Sequence, residues 1–227
     1  MPEWRVHVHS CDVLAKEVNI TNLDLFKMCT ILPDLPWEDI GGRRPNYDNK
    51  MASHFYRDDI KDPWPIANWV RVLYENPGMF KHSLIVRTYV FHLLLDESYN
   101  RKYNYVTTKV SDSQFVFKTY SGVDIIHRSM EDAIQFKFKD TNACASNFDV
   151  FDISHISIDK VFINDIKKVY GLSDFCSNDV IDVINADVAK RNNTMNILFT
   201  TRQYDDMIKE AIDIFMTLCR EFECEVS

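Results

Sequence analysis

The chain has 227 residues, enough for one large domain with a sizeable core or at most two small ones. Hydrophobic residues make up 46% and charged residues 26%, which excludes a disordered chain. A formal net charge of −8 weighs against a broad basic face for duplex nucleic acid, although a metal can hold a phosphate locally in an acidic protein.

No apolar run reaches the roughly 18 residues of a membrane span. The start, Met1-Pro2-Glu3-Trp4, has no apolar signal core, so a cytoplasmic protein is expected. The six cysteines (Cys11, Cys29, Cys144, Cys176, Cys219 and Cys224) show no CxxC spacing and read as buried free thiols.

Residues 3–18 are expected to form an amphipathic helix, because Trp4, His7, Cys11, Leu14 and Val18 recur at helical spacing. At roughly 100° per residue His7 lies on the inward face and His9 on the outward one. A short helix over Leu23 to Cys29 follows. Pro33 and Pro36 then forbid its continuation. Glu38 to Lys50 is polar, contains Gly41-Gly42 and Pro45, and reads as a loop leading to Ser53-His54-Phe55.

Asp62-Pro63 opens a further helix through Trp69 and Leu73, which Pro77-Gly78 ends. The most apolar helix is expected from Met79 to Tyr99, with Ile85, Tyr89, His92, Asp96 and Tyr99 along one stripe. Residues 103–127 are β-branched and aromatic and suit a small hairpin or extended excursion. Helices resume over Asp159 to Tyr170, Asn178 to Lys190 and Thr201 to Glu223. No repeat or convincing linker divides the chain. The expectation is an all-α single domain over 1–227, with a metal site between helices.

Candidate ligands concentrate early. Five of the seven histidines fall within the first 92 residues: His7, His9, His54, His82 and His92. Each has an ordinary structural explanation when taken alone, as a core, cap or surface residue. Their conjunction carries the weight. His7 faces inward, Asp34 follows a helix break, and His92 and Asp96 project together from the most buried stripe. Burying imidazole and carboxylate is costly unless they pair or coordinate an ion, and such groups suit zinc or another divalent metal. No GxSxG, P-loop, GxGxxG or HExxH motif occurs, and with five glycines a backbone phosphate cradle is not expected.

Trp4-x-x-His7, Leu32-Pro33-Asp34, Ser53-His54-Phe55 and His92-x-x-x-Asp96 together resemble the zinc-dependent phospholipase C and single-strand nuclease superfamily, in particular its small intracellular bacterial members. The similarity covers about the first hundred residues and lies in the order and spacing of the motifs. It implies that Asp34, His54, His92 and Asp96 surround one metal, most simply zinc, and that His7 approaches a second metal sharing Asp96. It also implies an all-helical metal-dependent hydrolase of a phosphoester, with Asp34 or Asp96 taking the proton from the attacking water.

The departures narrow this expectation. In the family's secreted members the tryptophan amine is a ligand, whereas Trp4 is internal here. Asn100 and Lys102 stand where those enzymes place another histidine. His127-Arg-Ser-Met-Glu131 has the spacing of the pair that completes a trinuclear site, but it follows the strand-like excursion. A mono- or dinuclear centre is therefore expected.

Three lesser candidates remain. His82, ten residues before His92, falls at the edge of its stripe if both share one helix, as a supporting donor, a substrate contact or a surface residue. Arg57, with Arg43 and Arg44, would bind a phosphoryl oxygen or simply solvate its loop. The expected substrate is a small phosphoester. The alternative is a non-catalytic helical protein with a structural metal site or a partner-binding role through 103–127.

Overall fold

The computed structural model describes residues 4–37, 73–111, 114–145 and 198–226. Helix α1 spans Trp4–Leu14 and α2 spans Leu23–Ile31. The Asn22 side chain caps α2 by accepting from Leu25 N at 3.0 Å. A 3-10 helix, Leu32–Trp37, follows without a break. The prolines end the α-helix as expected, and the chain continues as this tighter helix to Trp37, while the loop expected over Glu38 to Lys50 lies outside the described residues. Helix α1 is shorter than the periodicity suggested. Its last turn closes at Val18, whose amide donates to Leu14 O at 3.1 Å, and Val18 still packs on the core.

The helix expected from Met79 to Tyr99 is two helices, α3 (Pro77–His82) and α4 (Leu84–Val106). Pro77 begins α3 because proline suits the first helical position. Ser83 is extended and caps α4, accepting from Val86 N at 3.3 Å. Helix α4 is buried continuously from Ile85 to Tyr99 and runs about two turns further than expected. A helix covered on every side is the spine of its fold. Helices α2 and α6 (Thr201–Glu221) pack on it, and α1 packs on α2.

The excursion expected over 103–127 is a small sheet, which qualifies the all-α expectation. Strands β1 (Thr107–Ser111), β2 (Gln114–Lys118) and β3 (Asp124–His127) form an antiparallel sheet in the order β1-β2-β3. The described residues are mostly helical, with this small sheet beside the helices. Thr107 pairs with Phe117, and Phe115 with His127. Phe115 and Phe117 alternate inward from β2 while Val116 is less buried, as the period of a strand requires. Gly122, at φ 83°, makes the turn into β3 in a conformation that favours glycine. Helix α5 (Met130–Ala145) was not expected and packs against β2 and β3.

Two clusters form the described core. In the first, Phe215 of α6 meets Phe26, Phe80 and Phe91 with ring centroids 6.4, 6.2 and 5.0 Å away. In the second, Tyr99 and Tyr103 of α4 gather Phe115, Phe117, Phe199 and Tyr204. Buried Asp140 of α5 fastens this cluster. It accepts from Tyr204 Oη at 2.6 Å, Tyr103 Oη at 3.1 Å and Leu198 N at 2.9 Å. Three donors offset the cost of burying a carboxylate. Among the described residues, no helix is long and apolar enough to cross a membrane.

Candidate metal centre

Helix α1 presents His7 to α4, where His92 and Asp96 stand one turn apart. His7 and His92 are both 0% exposed and Asp96 is 5% exposed. The two imidazoles stack with centroids 4.1 Å apart and planes 10° from parallel. Their Nε2 atoms face one carboxylate: His7 lies 3.5 Å from Asp96 Oδ1 and His92 lies 3.6 Å from Asp96 Oδ2. These are long for charge-assisted hydrogen bonds, which close to about 2.7–2.9 Å.

His92 Nδ1 lies 2.8 Å from the carbonyl oxygen of Thr30 in α2. A carbonyl only accepts, so Nδ1 is the donor, which leaves Nε2 to face Asp96. This is how a metal-bound histidine is held by its surroundings. His7 is different. Neither of its nitrogens makes a hydrogen bond among the described residues. Burial first, and then neighbouring His92, pushes its pKa down to about 4, against the opposing pull of Asp96 and Asp34. It is therefore a neutral imidazole near pH 7, the form that binds a metal.

Asp34 joins through Trp4. The indole Nε1 donates to Asp34 Oδ2 at 3.1 Å, bridging the 3-10 helix to the start of α1. Asp34 is 3% exposed, and its charge is felt at His7 one turn beyond Trp4. Cys11, the next turn of α1, is not a second nucleophile. Its thiol donates to His7 O at 3.2 Å, and burial pushes its pKa up to about 12.

One more charged group lies further along α4. Lys137 of α5 places its ammonium 4.7 Å from the centroid of the Tyr103 ring. Burial lowers its pKa to about 8, against the opposing pull of Asp96. Sequence reading missed Lys137, because a lysine on an amphipathic helix ordinarily marks a solvated face.

Of the candidates read from sequence, His7, His92 and Asp96 come together, while Asp34 falls outside this ligand cluster and is tied to Trp4. His7, His92 and Asp96 each offer a ligand atom within 4.8 Å of the others. A donor set of two imidazoles and a carboxylate suits zinc. His54 and Arg57, with Arg43, Arg44 and the helices expected at 159–170 and at 178–190, lie outside the described residues, as does the helix expected after Asp62 up to its last turn, which is helical over 73–75.

His82 does not stand at the edge of the His92 stripe. It ends α3, is exposed, and is separated from α4 by extended Ser83. His127 ends β3 with its ring against Phe117 and Phe136, at centroid distances of 5.4 and 4.6 Å, away from the ligand cluster. Glu131 falls in the first turn of α5, with its side chain outside the described set. The chain matches no protein-family model, no curated protein and no solved structure. The functional reading therefore rests on the chemistry of these residues.

Proposed function

We propose that the chain is a metal-dependent hydrolase of a small phosphoester, with zinc held by His7, His92 and Asp96. The observation that supports this most is the pair of buried imidazoles whose Nε2 atoms face one carboxylate at 3.5 and 3.6 Å. Without a cation or proton among them, a lone pair on His92 opposes a carboxylate oxygen in a desolvated place. Such an arrangement is costly.

A bound zinc ion lowers the pKa of water towards neutrality and polarises a phosphoryl oxygen. The protein's own groups have separate tasks. The Thr30 carbonyl orients His92. Burial keeps His7 neutral. Trp4 holds Asp34 beside His7, as the carboxylate that accepts the proton of the attacking water. The net charge of −8 favours a small substrate over duplex nucleic acid.

A second reading is favoured by the full burial of both imidazoles. A closed centre with no position for water is structural, whereas a catalytic zinc keeps one open. Turnover of bis(4-nitrophenyl) phosphate decides between them. Activity is expected to vanish on chelation, return with zinc, and fall by a factor of about 100 or more in Asp34→Asn with zinc retained. Zinc that stabilises the fold without supporting turnover would favour the structural centre.

A further inference from the structure

The C-terminal end of α6 carries two cysteines that the candidate metal centre does not use. Cys219 is 3% exposed and belongs to the first core cluster, and Cys224 is half-buried against that cluster. Both are free thiols, and they hydrogen-bond to each other.

The backbone explains why they meet. A helix ends with unsatisfied carbonyls, and here the chain turns back to satisfy them. The Cys224 amide donates to Cys219 O at 3.0 Å, and the Glu223 amide donates to Arg220 O at 3.2 Å. These are the two bonds of a Schellman turn. Glu223, at φ 50°, takes the left-handed position that glycine commonly fills. Such turns often close with an apolar contact between the two positions that Cys219 and Cys224 occupy. In this chain that contact is between two sulfurs. The residues flanking Cys224 are anchored as well. Phe222 packs on Tyr74 and Phe80 with ring centroids 5.3 and 5.4 Å away. Arg87 of α4 donates from Nε to Val226 O at 3.4 Å, and Val226 is buried.

Two touching thiols of unequal exposure have the parts of a disulfide-forming pair, in which one meets the oxidant and the other resolves. We propose that Cys219 and Cys224 are a reversible disulfide site whose co-substrate is a small-molecule disulfide of the glutathione type. The thiolate of half-buried Cys224 attacks one sulfur of that disulfide, breaks its S–S bond and releases one small thiolate. The Cys219 thiolate then attacks the Cys224 sulfur and expels the second. The protein gives up two electrons and its two thiol protons, and the small disulfide is reduced to two thiols. Burial and then neighbouring Cys224 push the Cys219 thiol up, while Arg87 opposes them. Once the Cys224 sulfur is held in a mixed disulfide, the charge of its thiolate is gone and Arg87 still favours the Cys219 thiolate. The closed bridge ties the end of α6 to the segment that carries Val226, and excess small thiol reopens it.

Arg220 lies between the two cysteines, so trypsin reports the bridge directly. The full chain is incubated with oxidised glutathione, its remaining thiols are alkylated, and it is digested without reductant. The wild type is expected to lose both free thiols and to yield the peptide ending at Arg220 joined to the one beginning at Glu221. Excess reduced glutathione should separate them. Cys219→Ser should stop at a glutathione adduct on Cys224, and Cys224→Ser should leave Cys219 unmodified. In urea the ratio of bridge to adduct should fall, because the folded turn makes the contact. Wild-type protein that keeps both thiols, retains glutathione on Cys224 or joins Cys224 to another cysteine would overturn the proposal. So would glutathione on Cys219 in Cys224→Ser, or a ratio unchanged by urea. Should Cys219→Ser fail to fold, the wild-type digests and Cys224→Ser decide alone.

Discussion

His7 carries the clearest consequence at the scale of one residue. Its pKa falls from an ordinary 6.5 to about 4 because folding buries it. Between those values the unfolded chain binds the proton that the folded chain refuses, so the stability of the metal-free protein rises with pH in that window. Above about pH 6.5 this penalty is absent. As the pH falls through the window, up to about 3 kcal/mol is lost. Urea midpoints across the window should show this slope in the wild type and a flatter one in His7→Gln. Equal slopes would assign the effect elsewhere.

Helical phase favoured His7 over His9, and His7 is buried while His9 is half-buried, although α1 buries more than the one face expected, with Arg5, Val6, Val8 and Ser10 also buried. Two other features were not legible. The Trp4 indole reaches Asp34 across thirty positions, a juxtaposition made by the packing of α1 on α2 and the 3-10 helix. Lys137 is desolvated only because α5 lies against the aromatic cluster, a tertiary fact with no local signature.

Capping explains most of what was misread among the elements. Pro77-Gly78 does follow a helix end, since the helical residues 73–75 stop before it, and proline at the first helical position also opens α3. Ser83, taken as helical, is the cap that separates α3 from α4 and removes His82 from the site. Helix α5 went unrecognised although Ser129 marks its start, accepting from Asp132 N at 3.0 Å. The long apolar pattern around His92 and the amphipathic one of α6 were legible because burial there is strongly periodic or complete. Helix α6 has a capping box, with Thr200 and Gln203 satisfying each other's backbone. Thr200→Ala is expected to cost about 1 kcal/mol in chemical denaturation, with no change in zinc content. Phe215→Ala, which removes the ring shared by Phe26, Phe80 and Phe91, is expected to cost about 3 to 5 kcal/mol by the same measurement. A loss below about 1 kcal/mol would contradict the packing described for α4 and α6.

The whole molecule places chemistry and packing on one spine. The apolar positions of α4 hold α2 and α6, while its polar stripe runs from His92 through Asp96 to Tyr99 and Tyr103. Helix α1 and the 3-10 helix bring His7 and Asp34 to one end of that stripe, and α5 brings Lys137 to the other. Ligands drawn from separate elements couple ion binding to folding, so a bound metal should raise the unfolding temperature and its removal should lower it. The most direct test is the zinc content of protein prepared without chelator. Wild-type protein is expected to retain bound zinc after dialysis, and His92→Ala and Asp96→Ala, shown folded by circular dichroism, are expected to lose it. Wild-type protein free of zinc and unable to take it up, or either folded variant holding as much zinc as the wild type, would contradict a metal centre at His7, His92 and Asp96.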